Sequence, residues 1–235
     1  MAIPGILAMT AEEIRHTAPL PKYPAYFGCY FTDNGSILMP DRLPPGSGLI
    51  LDDRSPIPNA DHGYLYERIN ALNPVFLILD FQRPAYTAAD KLIAVLADLP
   101  CPVVLPPQYA AKRRCPILLP PIPPHITAEE HLLPWLGREI WLELALDATK
   151  ITVTAEGSVI TAMTHAIGQP NPHKDSMLHC HYKITGQPDA ILFYCYRTRK
   201  DVQELIRSPL PPNVTHTVAM YQEFGNEKIE RQAKA

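Results

Sequence analysis

The stretch VFLILDFQRP, residues 75–84, reads as a buried strand that surfaces in a polar cluster. Five apolar residues in succession, with no polar alternation, mark a strand covered on both faces, as in a parallel sheet. Asp80, Gln82 and Arg83 stand where that strand emerges, and Pro84, which lacks a ladder donor, closes it. Barrels and open sheets of parallel strands carry their ligands at the carboxyl ends of the strands. The segment therefore sets a fold expectation and a place for a site.

The same rhythm recurs on both sides of it. Apolar runs lie at residues 25–30, 48–51, 103–105, 117–119, 140–146, 190–196 and 217–221. Most end in charged or amide side chains: Asp52 and Asp53, Gln108 and Tyr109, Asp147, Arg197, and Gln222 with Glu223. Between them, Thr10, Thr87, Thr127 and Thr198 each precede an acid by three residues. A threonine hydroxyl can accept from an orphan helix N–H, and an acid one turn on suits the positive helix end. These signals predict helices over 11–17, 88–99, 128–136 and 199–207. A fifth is predicted over 62–72, where Leu65, Ile69 and Leu72 share one side.

Strands alternating with helices predict α/β architecture with right-handed crossovers. Eight runs in 235 residues predict an irregular (β/α)8 barrel of the TIM type. The irregularity is local. Residues 32–47 are rich in Gly and Pro rather than helical, and only residues 106–116 separate two successive runs. A parallel crossover usually needs at least about ten to twelve residues, so that connection lacks room for a full helix. The two runs it joins look alike, CPVVLPP from Cys101 and CPILLPP from Cys115. Residues 150–186 break the alternation, and a hairpin is expected over 151–163. The chain is read as one barrel domain, 1–235, with 150–186 as an insertion or subdomain.

Composition narrows the functional classes. Hydrophobic content of 46% with 19% charged residues is that of a globular chain. A net charge of -3 without a basic stripe disfavours a nucleic-acid partner. Prolines, 27 in all, gather beside the runs and read as stiff connections. Five cysteines without a CxxC pattern suit reduced thiols and a cytoplasmic location. Residues 3–9 contain Pro4 and Gly5 and make a poor leader peptide, and no run is long enough to span a membrane. No GxGxxG, P-loop or GxSxG motif occurs, so no cofactor is expected.

Residues 78–82, Ile-Leu-Asp-Phe-Gln, resemble the strand-end Asp-x-Asp-x-Glu pattern of chitinase-like barrel glycoside hydrolases. Asp80 matches the second Asp. Ile78 and Gln82 depart from the pattern, with Gln82 where that family carries its acid. The resemblance implies a barrel of this kind directed at a carbohydrate. It also implies that the chain either uses other carboxylates or binds without cleaving.

Glycoside hydrolysis needs two carboxyl groups flanking one bond. Asp80, Glu143 and Glu223 are the catalytic candidates. Asp53, Gln82, Arg83, Gln108, Tyr109, Asp147, Arg197 and Tyr221 are candidates for holding a glycan or another small ligand. Period-two alternation over residues 141–147 puts Trp141, Glu143 and Asp147 on one face, where an aromatic ring could stack on a sugar. Equally, Glu143 could face solvent from an amphipathic antiparallel strand. Two other classes stay open. One is a scaffold or ligand-binding barrel without turnover, which Gln82 favours. The other is a metal-dependent hydrolase using His165, His173, His179 and His181, which fit no familiar zinc spacing.

Overall fold

The computed structural model describes residues 5–32, 36–53, 55, 57, 62–122, 126–144, 148–153, 159–164, 180–184, 187–196, 204–205 and 210–221; from 148 to 196 the backbone alone is described. The chain divides into two compact units. The first comprises 1–120, 137–143 and 213–235, and the second 121–136 and 144–212.

In chain order the first unit begins with β1 (Gly5–Met9), α1 (Ala11–His16), β2 (Pro24–Phe31) and the short β3 (Ile37–Leu38). It continues with β4 (Gly48–Asp52), α2 (His62–Leu72), β5 (Leu77–Asp80), α3 (Thr87–Leu96), β6 (Val103–Val104), α4 (Pro107–Ala110) and β7 (Ile117–Leu119). The second unit opens with α5 (Ala128–Leu132), which runs on as a 3-10 turn, Leu133–Trp135. After β8 (Ile140–Leu144) the second unit supplies β9 (Ala148–Val153), β10 (Val159–Thr164), β11 (Cys180–Ile184) and β12 (Gln187–Tyr196). The chain then returns to the first unit with β13 (Val214–Met220).

Eight strands of the first sheet follow the order β6-β5-β4-β2-β1-β13-β8-β7, with β3 pairing β2 off this path. The pairings of β1 with β13 and β2, of β4 with β2 and β5, of β5 with β6 and of β7 with β8 are all parallel. The two ends of the path meet. Leu105, just past β6, bridges Ile117 of β7 in parallel, the Leu105 amide donating to Pro116 (3.1 Å) and the Leu118 amide to Leu105 (2.8 Å). That bridge brings the eight strands to a nearly closed TIM-like barrel, the fold that the apolar runs predict.

Its interior is one close-packed cluster: Ile6 and Ala8, Ala25, Ile50, Phe76 and Ile78, Val104, Leu118, Trp141 and Val218. The alternate residues of these strands are buried too. All five residues of β4 and all three of β7 are covered, because they lie between the barrel interior and the outer layer. Each fully buried aliphatic side chain contributes about 1.5–3 kcal/mol, so this two-sided burial is where the unit gains its stability. On α3, Ala89, Leu92, Ile93 and Leu96 form the buried stripe; on α2, His62, Leu65 and Ile69 do.

Local chemistry sets several boundaries. Thr10 and Thr127 form complete capping boxes with Glu13 and Glu130, as their spacing predicts. Thr87 does not cap. Helix α3 starts at Thr87 itself, with Tyr86 at the N-cap and no side-chain cap bond. The connection from β6 to β7 holds only the four-residue α4, in keeping with its length. On β2 the register slips between Tyr26 and Cys29, and Gly28 there has φ +116°. Glycine takes that conformation without Cβ strain, which lets the strand bulge.

Two strand assignments change. The run at 190–196 belongs to β12, which pairs antiparallel with β9 and β11 in a separate four-stranded sheet, β10-β9-β12-β11. The eighth barrel strand is instead β1, from the segment read as a poor leader. Apolar content alone cannot separate a parallel barrel strand from an antiparallel one, and Pro4 and Gly5 at the start of the β1 segment obscure its strand character. The hairpin expected over 151–163 is present as β9 and β10. Of the helix expected over 199–207, Glu204 and Leu205 are helical and the rest, with Thr198 and Asp201, lies outside the described residues.

Candidate functional site

The barrel's parity fixes which strand-end side chains face inward. Successive strand residues alternate sides, so a residue two beyond an interior one points the same way. Ile50, Ile78 and Trp141 belong to the interior cluster. Asp52, Asp80 and Glu143 therefore hold inward positions at the carboxyl ends of β4, β5 and β8. Asp52 is paired in register with Asp80, and with Tyr30 on its other side. Neighbouring strands lie about 4.8 Å apart, so Asp52 and Asp80 sit side by side. Glu143 is three strands further round, past β6 and β7.

Trp141 is not a stacking platform. It lies one layer below Glu143, is 3% exposed, and packs edge-on against Phe76 (centroids 5.1 Å) and face-tilted against His216 (4.1 Å). Its indole N–H donates to Glu139 (3.0 Å). Glu143 itself stands on a strand paired in parallel with β7, not on an antiparallel amphipathic one.

The turn after β5 is held from both sides. Asp53 is 3% exposed, and its carboxylate accepts the backbone N–H of Gln82 (2.8 Å) and of Arg83 (3.2 Å). Arg83 Nε donates to the Asp53 carbonyl (3.0 Å). Burial pushes the Asp53 carboxyl above its usual value, partly offset by these donors. From the other side, Gln108 in the first turn of α4 donates to the Phe81 carbonyl (2.6 Å) and more weakly to that of Arg83 (3.4 Å). The buried Tyr109 hydroxyl makes long contacts to the carbonyls of Arg83 (3.5 Å) and Pro84 (3.4 Å). Desolvation raises the Tyr109 phenol to about 12, so it remains a donor. Phe81, fully buried, packs edge-on against the Tyr109 ring. At the end of β5 the Gln82 side-chain amide donates to the Asp80 carboxylate.

The predicted site residues thus divide. Asp80, Gln82 and Glu143 lie at one barrel rim. Asp53, Gln108 and Tyr109 stand beside it, bonded to backbone. Tyr221 follows β13, on the opposite parity from the interior Val218, and its hydroxyl accepts from Thr17 (3.4 Å). Glu223, Asp147, Arg197, His165, His173 and His179 lie outside the described residues; His181 falls on β11, where the backbone alone is described. Among the described residues no group of three His, Cys, Asp or Glu side chains is placed to hold a metal ion, and no helix is long and apolar enough to cross a membrane. Of the cysteines, Cys29, Cys101 and Cys115 are free thiols, and burial raises Cys29 to about 12.

Sequence reasoning chose Asp53 and passed over Asp52 and Tyr30. Both parities of β4 are apolar, so the sequence does not say whether Ile50 or Leu51 faces inward. The deciding signal is register with β5, which only the assembled sheet supplies.

No family model matches the chain, and no curated protein matches it in sequence. Among solved structures, the barrel is similar to the Bacillus cereus spore cortex-lytic enzyme SleL, with a TM-score of 0.50 at 10% identity, over 93% of this chain and 70% of that one. The putative sporulation-specific glycosylase ydhD from Bacillus subtilis is more distant, with a TM-score of 0.41 at 10% identity, over 78% of this chain and 86% of that one. At this identity the likeness to the cortex-lytic enzyme is one of fold: the chain shares the barrel on which that enzyme is built.

Proposed function

We propose that this chain is a carbohydrate-directed barrel of the glycoside-hydrolase type, working through strand-end carboxylates. The observation that carries the reading is the inward placement of Asp80 and Glu143 at the carboxyl ends of two strands of one barrel. Two carboxyl groups across a rim suit the paired chemistry of glycoside hydrolysis. One, in its acid form, protonates the departing glycosidic oxygen; the other, ionised, removes a proton from the attacking water as the bond to the sugar forms. Asp80 and Glu143 are the pair read in these two roles, and the Gln82 side-chain amide donates to the Asp80 carboxyl group. The likeness to a spore cortex-lytic enzyme makes spore cortex the first material to try.

A second reading, capture without turnover, is favoured by Gln82, which stands where the resembling family has its acid and cannot protonate a leaving group. One experiment separates the two. The protein is incubated with spore cortex and soluble oligosaccharides, and bound glycan and released reducing ends are measured in parallel. Release by the native chain, lost in both Asp80→Asn and Glu143→Gln, supports hydrolysis. Capture without release, with release gained in Gln82→Glu, supports the binding protein. Neither capture nor release would sink both.

A further inference from the structure

Four polar residues that sequence reasoning assigned to a ligand spend their hydrogen bonds on the protein itself. Asp53 on the β4 side and Gln108 with Tyr109 on the α4 side all bond the backbone of residues 81–84. Arg83 returns a bond to the Asp53 carbonyl. This turn immediately follows Asp80, and Gln82 within it donates to Asp80. A two-sided grip on so short a turn fixes the path of the chain at Gln82 and hence the direction from which its amide reaches the carboxylate.

We propose that Asp53, Gln108 and Tyr109 are positioning residues that clamp the 81–84 turn and so set the Asp80–Gln82 pair, rather than groups that touch a ligand. The consequence for glycan capture rests on the carbohydrate reading of the rim; the clamp itself does not. Asp53 is suited to the task because its two carboxylate oxygens match two successive amides, as they would in an anion-binding turn. Gln108 does the complementary job, offering N–H donors to the carbonyls.

The test uses the full-length protein and needs no ligand. Asp53→Asn keeps the shape but points an NH2 group at one of the two amides. Amide exchange at Gln82 and Arg83 is expected to quicken by about tenfold or more, the worth of one lost bond to a charged group, while exchange in β1 and β13 is unchanged. The carboxyl carbon signal of Asp80 is expected to move as well. Gln108→Ala, which alters an exposed side chain, is expected to move that same Asp80 signal, and it decides the matter should Asp53→Asn not fold. Unchanged exchange at 82 and 83 with an unmoved Asp80 signal would overturn the clamp, as would a uniform loss of protection across the barrel. Where the native chain captures a glycan, Asp53→Asn is expected to weaken that capture. If the native chain captures none, the carbohydrate reading fails and the exchange data still judge the clamp.

Discussion

The two ends of the barrel are built from the same strands with the same inward parity, yet they are chemically opposite. At the amino end the inward positions carry Phe76, Trp141 and His216, and Gly48 leaves room for them. At the carboxyl end they carry Tyr30, Asp52, Asp80 and Glu143. The lower layer is packed ring against ring, with Phe76 against Trp141 and Trp141 against His216. The upper layer is polar and is braced by the turn that Asp53 and Gln108 hold. One alternation pattern thus packs rings at one mouth and sets carboxyl groups at the other, and the two layers stand two to four residues apart at Gly48 and Asp52, Phe76 and Asp80, and Trp141 and Glu143.

That separation can be broken most forcefully at the closed end. Trp141→Ala removes the ring that joins Phe76 to His216 and is expected to cost about 3–5 kcal/mol, read as a lower urea midpoint. Gly48→Ala attacks the same layer by overfilling it. A Cβ there would collide with the Phe76 ring, and overpacking of this kind costs about 1–3 kcal/mol. In a Phe76→Ala background the ring is gone, so the added methyl is expected to cost little. Additive losses in the double variant would mean that the Gly48–Phe76 contact is not what makes glycine necessary.

The open end should respond in the reverse sense. Asp80→Asn and Glu143→Gln are each expected to change stability by under about 1 kcal/mol, while abolishing any glycan turnover. A large loss of stability in either would mean that the rim carboxylates hold the barrel together.

The smallest effect is a titration. Burial lowers the His216 imidazole from its ordinary 6.5, against a smaller opposing pull from Glu139. Below 6.5 the unfolded chain binds the proton more readily than the folded one, so stability falls as pH drops from 6.5 to the lower folded value, and then levels off. Thermal midpoints across this window should show the decline, and His216→Gln should flatten it.

Much of the barrel was legible in the sequence because burial on both faces leaves uninterrupted apolar runs, and seven of the eight runs are barrel strands. The eighth barrel strand, β1, was hidden because Pro4 and Gly5 open its segment, which reads as a poor leader. The run at 190–196 misled because an antiparallel strand can carry the same apolar composition. Helix starts were legible at Thr10 and Thr127, where a glutamate can reach back to the cap, and misleading at Thr87, where the residue three on is the shorter Asp90. The rim positions of Asp80 and Glu143 were legible because each ends or nearly ends a run. The inward position of Asp52 was not, because inward and outward parity look alike in a strand buried on both faces. The bonding of Asp53, Gln108 and Tyr109 to the 81–84 turn was invisible, since it joins the ends of three strands, β4, β5 and β6, that only the assembled sheet sets side by side.

Carboxyl and aromatic NMR signals, followed while the glycan captured in the screen is titrated in, decide whether a carbohydrate sits at the proposed carboxyl-end rim or on the packed floor. Binding at the rim is expected to give concerted shifts at Asp52, Asp80 and Glu143 with the Trp141 indole and the His216 ring unmoved. Shifts centred on Trp141 and His216, or at none of these five residues, would contradict it.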